Sequence, residues 1–412
     1  MKLKYLFLSL IVVLAFSCDT NDEDYEFVQV ATPQIMNKTA FRSSVEVDAP
    51  KDIETVGKIY AYKDYIFVSD ESKGVHVIDN SNPAVPKSIK FIKIPGNEDI
   101  SVKNDFLYAD SATDLVVFDI SDIDNISVVG RLKDVFNVYD YNVPLEAQAV
   151  DYANYDYEND IIVGWTITTE RRKKQDSDVL INMFLDGGRV LNASESATGT
   201  GASLARFQIM GHYLYAVGNY EMAIFNIQNL EAPVLANTQY AGWNIETMFQ
   251  AEGYLYLGST NGMYIYNLNN PALPEYVSEF THWEGCDPVV VDGNYAYLTL
   301  RGGNACGQLE SVLEVIDVSD KSTPKLAGRY ELENPYGLGI KNNMLFVCDG
   351  TAGLKLFDKT NPLEVSFVKS YDDIQAKDVI PLEDKLLMIG GDMLYQYSYV
   401  EKGVELVSEF EL

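Results

Sequence analysis

One unit of about 40 residues recurs along this chain, and that recurrence restricts the fold more than any other feature. The stretch YIFVSDESKGVHVIDNSNPAVP from Tyr65 returns as FLYADSATDLVVFDISD from Phe106, YLYAVGNYEMAIFNIQNLEAPV from Tyr213 and YLYLGSTNGMYIYNLNNPALP from Tyr254. It returns again as YAYLTLRGG from Tyr295 leading to VLEVIDVSDKSTP from Val312, as MLFVCDGTAGLKLFDKTNP from Met344 and, in worn form, as LLMIGGDMLYQYSY from Leu386. Taking the last residue of the second apolar run as a marker gives Asp79, Asp119, Asn226, Asn267, Asp317, Asp358 and Tyr397, spaced by 40, 107, 41, 50, 41 and 39 residues. Within each unit the runs alternate apolar and polar residues and are separated by turn pairs such as SNP, NNP and TNP, while helical spacing is nearly absent. A period near 40 with four short strands per unit predicts an all-β chain, a β-propeller of about seven four-stranded blades. A lone blade has two uncovered faces, so aromatic pairs such as Tyr254 with Tyr256 and Tyr295 with Tyr297 are expected between blades.

Two spacings depart from the period. The 50-residue step holds RGGNACGQLES, read as a protruding loop, and the 107-residue step carries a surplus between Asn137 and Thr200. Part of that surplus, AQAVDYANYDYENDIIVGWTITTERR, has strand character, whereas NASESATGTGAS has linker composition. An eighth, degenerate blade is possible there. Seven is preferred, because no run with the VID-type ending is found. The propeller is then one domain, residues 43–412, with an insertion at about 137–200. The stretch AFRSSVEV from Ala40 is left as a candidate extra strand on the last blade.

The first residues give an address. Lys2 and Lys4 precede an apolar run from Tyr5 to Phe16, the layout of a signal peptide over residues 1–17 and too short to span a bilayer. The stretch LAFSC resembles a bacterial lipobox, which implies that Cys18 carries the lipid, acyl chains of the palmitate class, and becomes the first mature residue. An ordinary signal peptide with Cys18 incidental is the alternative. Residues 18–42 read as the lipidated cysteine and a flexible tether. Asp19 and the run Asn21, Asp22, Glu23, Asp24 look like a surface-export tag, or else a solvated stalk.

Charge excludes one class of partner. The formal charge of −30 becomes −32 on loss of residues 1–17, which hold two lysines and no acid. Such a chain repels phosphate backbones, so nucleic acid is not an expected partner. The one basic run, RRKK from Arg171, reads as a solvated loop or a contact for an acidic surface.

The segments GVHVIDNSNP, DLVVFDIS and LEVIDVSD, with IPGNEDISV, LYADS, CDPVVV, AYLTLRGGNAC and LFVCDG, resemble the LVIVD repeat. From about Ser43 the chain is similar to LVIVD-repeat lipoproteins of the bacterial envelope. The resemblance implies a propeller and an envelope location, and the expected place is the outer membrane, lipid-anchored, on its periplasmic or cell-surface side. It carries no catalytic residue over.

In a propeller the innermost strand of each blade opens onto a central funnel where ligands commonly bind. Counting back from the aligned strands places Asp99, Glu246, Asp287 and Asp378 at that mouth, with Arg206, Tyr336 and Gly57 at matching positions. Four converging carboxylates repel one another unless a cation or an arginine compensates them, and Ca2+ takes such oxygen ligands. The same acids also suit turn capping. His282, near Glu284 and Asp287, approaches the funnel, whereas His76 in mid-strand and His212 in a turn read as structural. Cys286 and Cys306 are a disulfide candidate outside the cytoplasm and a poor zinc site, and Cys348 reads as a small buried residue. The motifs GxSxG, HExxH and the P-loop are missing. The expected function is a non-catalytic binding platform for an envelope protein, a glycan or a small polar ligand. The alternative is a funnel-site hydrolase or lyase using the acidic ring with a divalent cation.

Overall fold

Each repeat folds into its own antiparallel sheet because its four strands follow one another through turns too short to reach any other partner. The computed structural model describes residues 25–136, 143–144, 146–173, 200–201, 206–281, 288–302 and 310–412. Blade one is Val56–Tyr62, Tyr65–Asp70, Gly74–Asp79 and Lys87–Lys93, paired in that order, and six further blades occupy residues 100–132, 207–240, 245–281, 289–331, 338–371 and 376–411. The first six markers end the third strand of their blades. Pairing of Lys385 with Ser398, in the register of Tyr65 with Asp79, moves the seventh marker from Tyr397 to Ser398.

The acid or amide at each marker ends its strand by a local bond. Asp79, Asp119, Asn226, Asn267, Asp317 and Asp358 each accept a hydrogen bond through Oδ1 from the backbone N–H two residues on, at 2.8–3.1 Å. This Asx turn is the physical content of the recurring VID ending.

The middle strands are buried on both faces, unlike the alternation expected from the sequence, because each blade is sandwiched by two others. Ile66, Phe67 and Val68 are all within 1% of complete burial. An aromatic ring occupies the third position of the second strand in six blades, as Phe67, Tyr108, Tyr215, Tyr256, Tyr297 and Phe346, and all are buried. These rings fill the seams, as expected for Tyr256 and Tyr297; Tyr254 and Tyr295 pack half-buried at the seam edges.

Seven apolar clusters correspond to seven seams. Six join consecutive blades, and the seventh packs Ile380, Leu387, Ile389 and Leu394 of the last blade on Ile59, Ile66, Val68 and Ile78 of the first. The ring therefore closes with seven blades. Among the described residues no strand is exchanged in closing it: Glu46–Asp48, within the candidate addition to the last blade, pairs instead with Lys87–Lys93 on the outer edge of blade one.

The residues outside the repeat make a separate unit, a three-stranded sheet. Tyr25–Asn37, within the stretch read as a tether, is a strand paired antiparallel with Asp160–Lys173 of the insertion, and Ala149–Val150 pairs parallel on its other side. Val30 and Ala31 are fully buried there, the return for ordering a segment that looks polar overall. The basic residues Arg171 to Lys173 are exposed at a strand end, not in a loop. Among the described residues no helix is long and apolar enough to cross a membrane.

Candidate functional site

The inner strands of the seven blades begin at one end of the ring, and side chains at those beginnings surround the channel mouth. Asp99 and Arg206 directly precede Ile100–Lys103 and Phe207–Met210, and Tyr336 stands two residues before Leu338–Lys341. Three other inner strands start with an extra residue. The ladder skips between Val56 and Ile59, between Ile245 and Thr247, and between Ala376 and Asp378. Such bulges re-aim side chains. Glu246 is the extra residue of its strand, but in the last blade the extra residue is Lys377, one position before the Asp378 that spacing selects. Cys18, His282, Cys286, Asp287 and Cys306 lie outside the described residues.

Asp99 is a joint between three blades. Its Oδ2 accepts from the N–H groups of Arg206 (2.8 Å) and Phe207 (3.1 Å) and lies 3.2 Å from Lys58 Nζ, with only 1% of the residue exposed. The Arg206 guanidinium donates to Glu98 Oε2 at 2.9 Å and to Asn219 Oδ1 at 3.2 Å. Burial lowers the pKa of Lys58, opposed chiefly by the Asp99 charge. Behind this group Asp110 accepts from Asn97 Nδ2 and from the N–H groups of Glu98 and Asp99, which orients the loop carrying both acids. Loss of hydration, with the Glu98 charge next, pushes Asp110 up to about 7.

Asp378 is fully buried, and its side chain is not presented as a ligand. Its Oδ1 accepts from Val379 N–H, its Oδ2 has no hydrogen-bond partner, and burial raises its pKa well above the carboxylate range. Gly337 of the neighbouring blade presses against it: a Cβ there would sit 2.0 Å from Asp378 Oδ1.

The sequence reading missed three cations. Lys58 follows Gly57 in the first bulge, Lys377 occupies the last, and Arg301 directly follows the second strand of blade five, where blade one has Glu71. Lys377 Nζ donates to Val56 O at 2.8 Å, and the Arg301 guanidinium lies 4.1 Å above the Tyr336 ring with its Nε buried and without a hydrogen-bond partner. Burial lowers the pKa of Lys377, Glu71 raises it and the positive charge of Arg301 lowers it further, so the two cations are within electrostatic reach. Burial likewise raises Glu71. Among the described residues neither Arg301 nor Lys377 forms an ion pair. The acids are thus interleaved with basic groups, the compensation that converging carboxylates require. One side of the mouth is a near-neutral Lys58–Asp99–Arg206–Glu98 network; on the other, Arg301 and Lys377 stand with Tyr336, and Glu71 is the described acid that acts most strongly on Lys377. Among the described residues no three His, Cys, Asp or Glu side chains are grouped as a metal site.

Of the other singled-out residues, His76 and Cys348 are buried in strands and His212 is exposed in a turn.

Residues 55–90, 97–134 and 286–331 match the LVIVD repeat, the regions that hold GVHVIDNSNP, DLVVFDIS and LEVIDVSD. Among curated proteins none matches the chain. Solved structures of similar fold include a protein from Lactobacillus plantarum (12% identity, 86% of this chain and 94% of that one, TM-score 0.55). Another is the periplasmic gluconolactonase PpgL of Pseudomonas aeruginosa (10% identity, 89% and 97%, TM-score 0.53). A third is the computationally designed Ika8 protein (7% identity, 89% and 90%, TM-score 0.52). At these identities the likeness is one of fold alone.

Proposed function

Since the chain is a β-propeller built with LVIVD repeats, we propose that it is an envelope lipoprotein, anchored through Cys18, whose channel mouth binds a small polar ligand carrying a carboxylate and does not turn it over. The observation that carries this reading is the Arg301–Lys377 pair. Two cations share one low-dielectric side of the mouth, one with a buried nitrogen lacking a partner, and an anion between them relieves both costs. The Tyr336 ring under Arg301 supplies a flat wall, and the Lys58 ammonium, whose Nζ has no hydrogen-bond partner, supplies a donor for a hydroxyl of such a ligand, as in a sugar acid. A ring of acids around Ca2+ is less well supported, because Asp99 is already engaged by Lys58 and two N–H groups and burial favours the protonated form of Asp378.

Calorimetric titration of the mature chain with glucuronate and with glucose tests this. Glucuronate is expected to bind with one site per chain and glucose at least tenfold more weakly. Arg301→Met and Lys377→Met are each expected to weaken glucuronate by tenfold or more. Equal affinity for the two sugars, or binding indifferent to both variants, sinks the anion site. Product formation from glucuronate, followed by NMR, favours an enzyme. For the anchor, Cys18→Ser is expected to move the protein from the membrane fraction to the soluble one; retention on the membrane overturns that part.

A further inference from the structure

We infer that the seam between blade seven and blade one holds a second ligand site, for a small uncharged molecule with an apolar body and one hydrogen-bonding head. A cavity of about 540 Å³ opens at this seam, walled by Ile53, Ile78 and Phe410 and backed by His76 and Ser88. That volume lies within the ~300–1,000 Å³ usual for small-molecule sites. Its back wall is polar without being satisfied. His76 is 1% exposed and neither ring nitrogen has a hydrogen-bond partner; the Ser88 hydroxyl is also buried and without one.

Nothing in the strand pattern demands a histidine there. The equivalent positions in the next two blades are Val116 and Ala223, ordinary seam residues. Asp70, the nearest acid, does not satisfy the ring: its Oδ2 is 3.6 Å from His76 Nε2, too far for a hydrogen bond. The Asp70 carboxylate is committed to the N–H groups of Glu54 and Thr55 and has the ammonium groups of Lys51 and Lys73 at 3.7 Å. On the other side the Phe91 ring lies tilted at 47° to His76 with the centroids 4.6 Å apart, and Lys51 Nζ lies 3.9 Å over that same Phe91 ring.

The chemistry of the head follows from these groups. Burial lowers the proton affinity of His76, so the wall offers a neutral imidazole, one donor and one acceptor, beside a hydroxyl. Lys51, the cation at the rim, already faces Asp70. Asp52 and Glu411 also line the cavity, so an anionic head would be repelled and a cationic one would be held by them away from the neutral back wall, whereas a hydroxyl, phenol or amide can both donate and accept a hydrogen bond at His76 and Ser88. The apolar walls accept the remainder of the molecule.

The probe is p-cresol, with toluene as the same body lacking the hydroxyl, titrated against the whole mature chain by saturation-transfer NMR. One saturable p-cresol site is expected, with toluene at least tenfold weaker. His76→Phe is expected to abolish binding and Ser88→Ala to weaken it severalfold; if His76→Phe fails to fold, Ser88→Ala carries the test. Arg301→Met is expected to leave p-cresol affinity unchanged, which separates this site from the channel mouth. Absence of saturable binding, equal affinity for toluene, indifference to the seam variants that fold, or loss of binding in Arg301→Met each overturns the inference.

Discussion

Asn80 and Gln396, 316 residues apart, exchange a pair of buried amide hydrogen bonds: Gln396 Nε2 donates to Asn80 Oδ1 at 2.7 Å, and Asn80 Nδ2 donates to Gln396 Oε1 at 3.0 Å. They belong to opposite ends of the chain and meet where the ring closes. The Pro83 carbonyl joins them, accepting from Gln396 Nε2 at 3.2 Å and from Ser408 Oγ at 2.6 Å. Since no strand is shared across this seam, the amide pair supplies direction to a contact that is otherwise apolar packing.

Removing either partner strands a buried amide. Asn80→Ala and Gln396→Ala are each expected to destabilise by about 1–3 kcal/mol, and the double variant by less than the sum of the two. Chemical denaturation of the four proteins measures this. Full additivity is the contrary result.

Two tyrosines in equivalent places should respond oppositely to loss of the hydroxyl. Tyr215 donates to the Pro271 carbonyl at 2.9 Å, whereas the Tyr256 hydroxyl is buried without a partner. Tyr215→Phe is expected to cost about 1 kcal/mol and Tyr256→Phe to be neutral or stabilising. Replacing either ring by Ala empties a seam and is expected to cost about 3–5 kcal/mol. Equal effects for the two Phe variants by thermal denaturation would contradict the assignment.

Asp110 gives stability a pH dependence of definite sign. Its pKa rises on folding from 3.8 to about 7, so between those values the unfolded chain releases a proton that the folded chain retains. This group's contribution therefore falls as pH rises through that window and is constant above it. Asp110→Asn keeps an acceptor for the loop N–H groups and cannot ionise, so the variant is expected to lose this part of the slope between pH 4 and 7. Parallel stability curves for the two proteins count against the shift.

The contact of Gly337 with Asp378 predicts a coupled pair. Gly337→Ala puts a methyl group into the Asp378 carboxyl and is expected to cost about 1–3 kcal/mol. Asp378→Ala opens that space, so the double variant should recover most of the loss. Independent effects, measured by urea denaturation, would show that the strain lies elsewhere.

Strand order and blade number were legible from consecutive residues, because an Asx turn such as that at Asp119 and a seam ring such as Tyr108 act within one repeat or on the next. The site was legible in part. Asp99 and Arg206, directly before inner strands without an extra residue, were found by counting and do meet. In the last blade counting chose Asp378, and a one-residue bulge gives the mouth Lys377 instead. Arg301 was missed because it follows a second strand, and only the ring brings it to Tyr336 and Lys377.

A short periodic pattern thus specified the blades, since turn chemistry and aromatic placement are local instructions repeated in six of the seven blades. Ring closure through Asn80 and Gln396, the pairing of Tyr25–Asn37 with Asp160–Lys173, and the mixing of basic groups among the acids at the mouth were settled in three dimensions. Each joins residues far apart in the chain or turns on a bulge, and a shift of one residue along a strand moves a side chain from one face to the other, which no count of spacings can register.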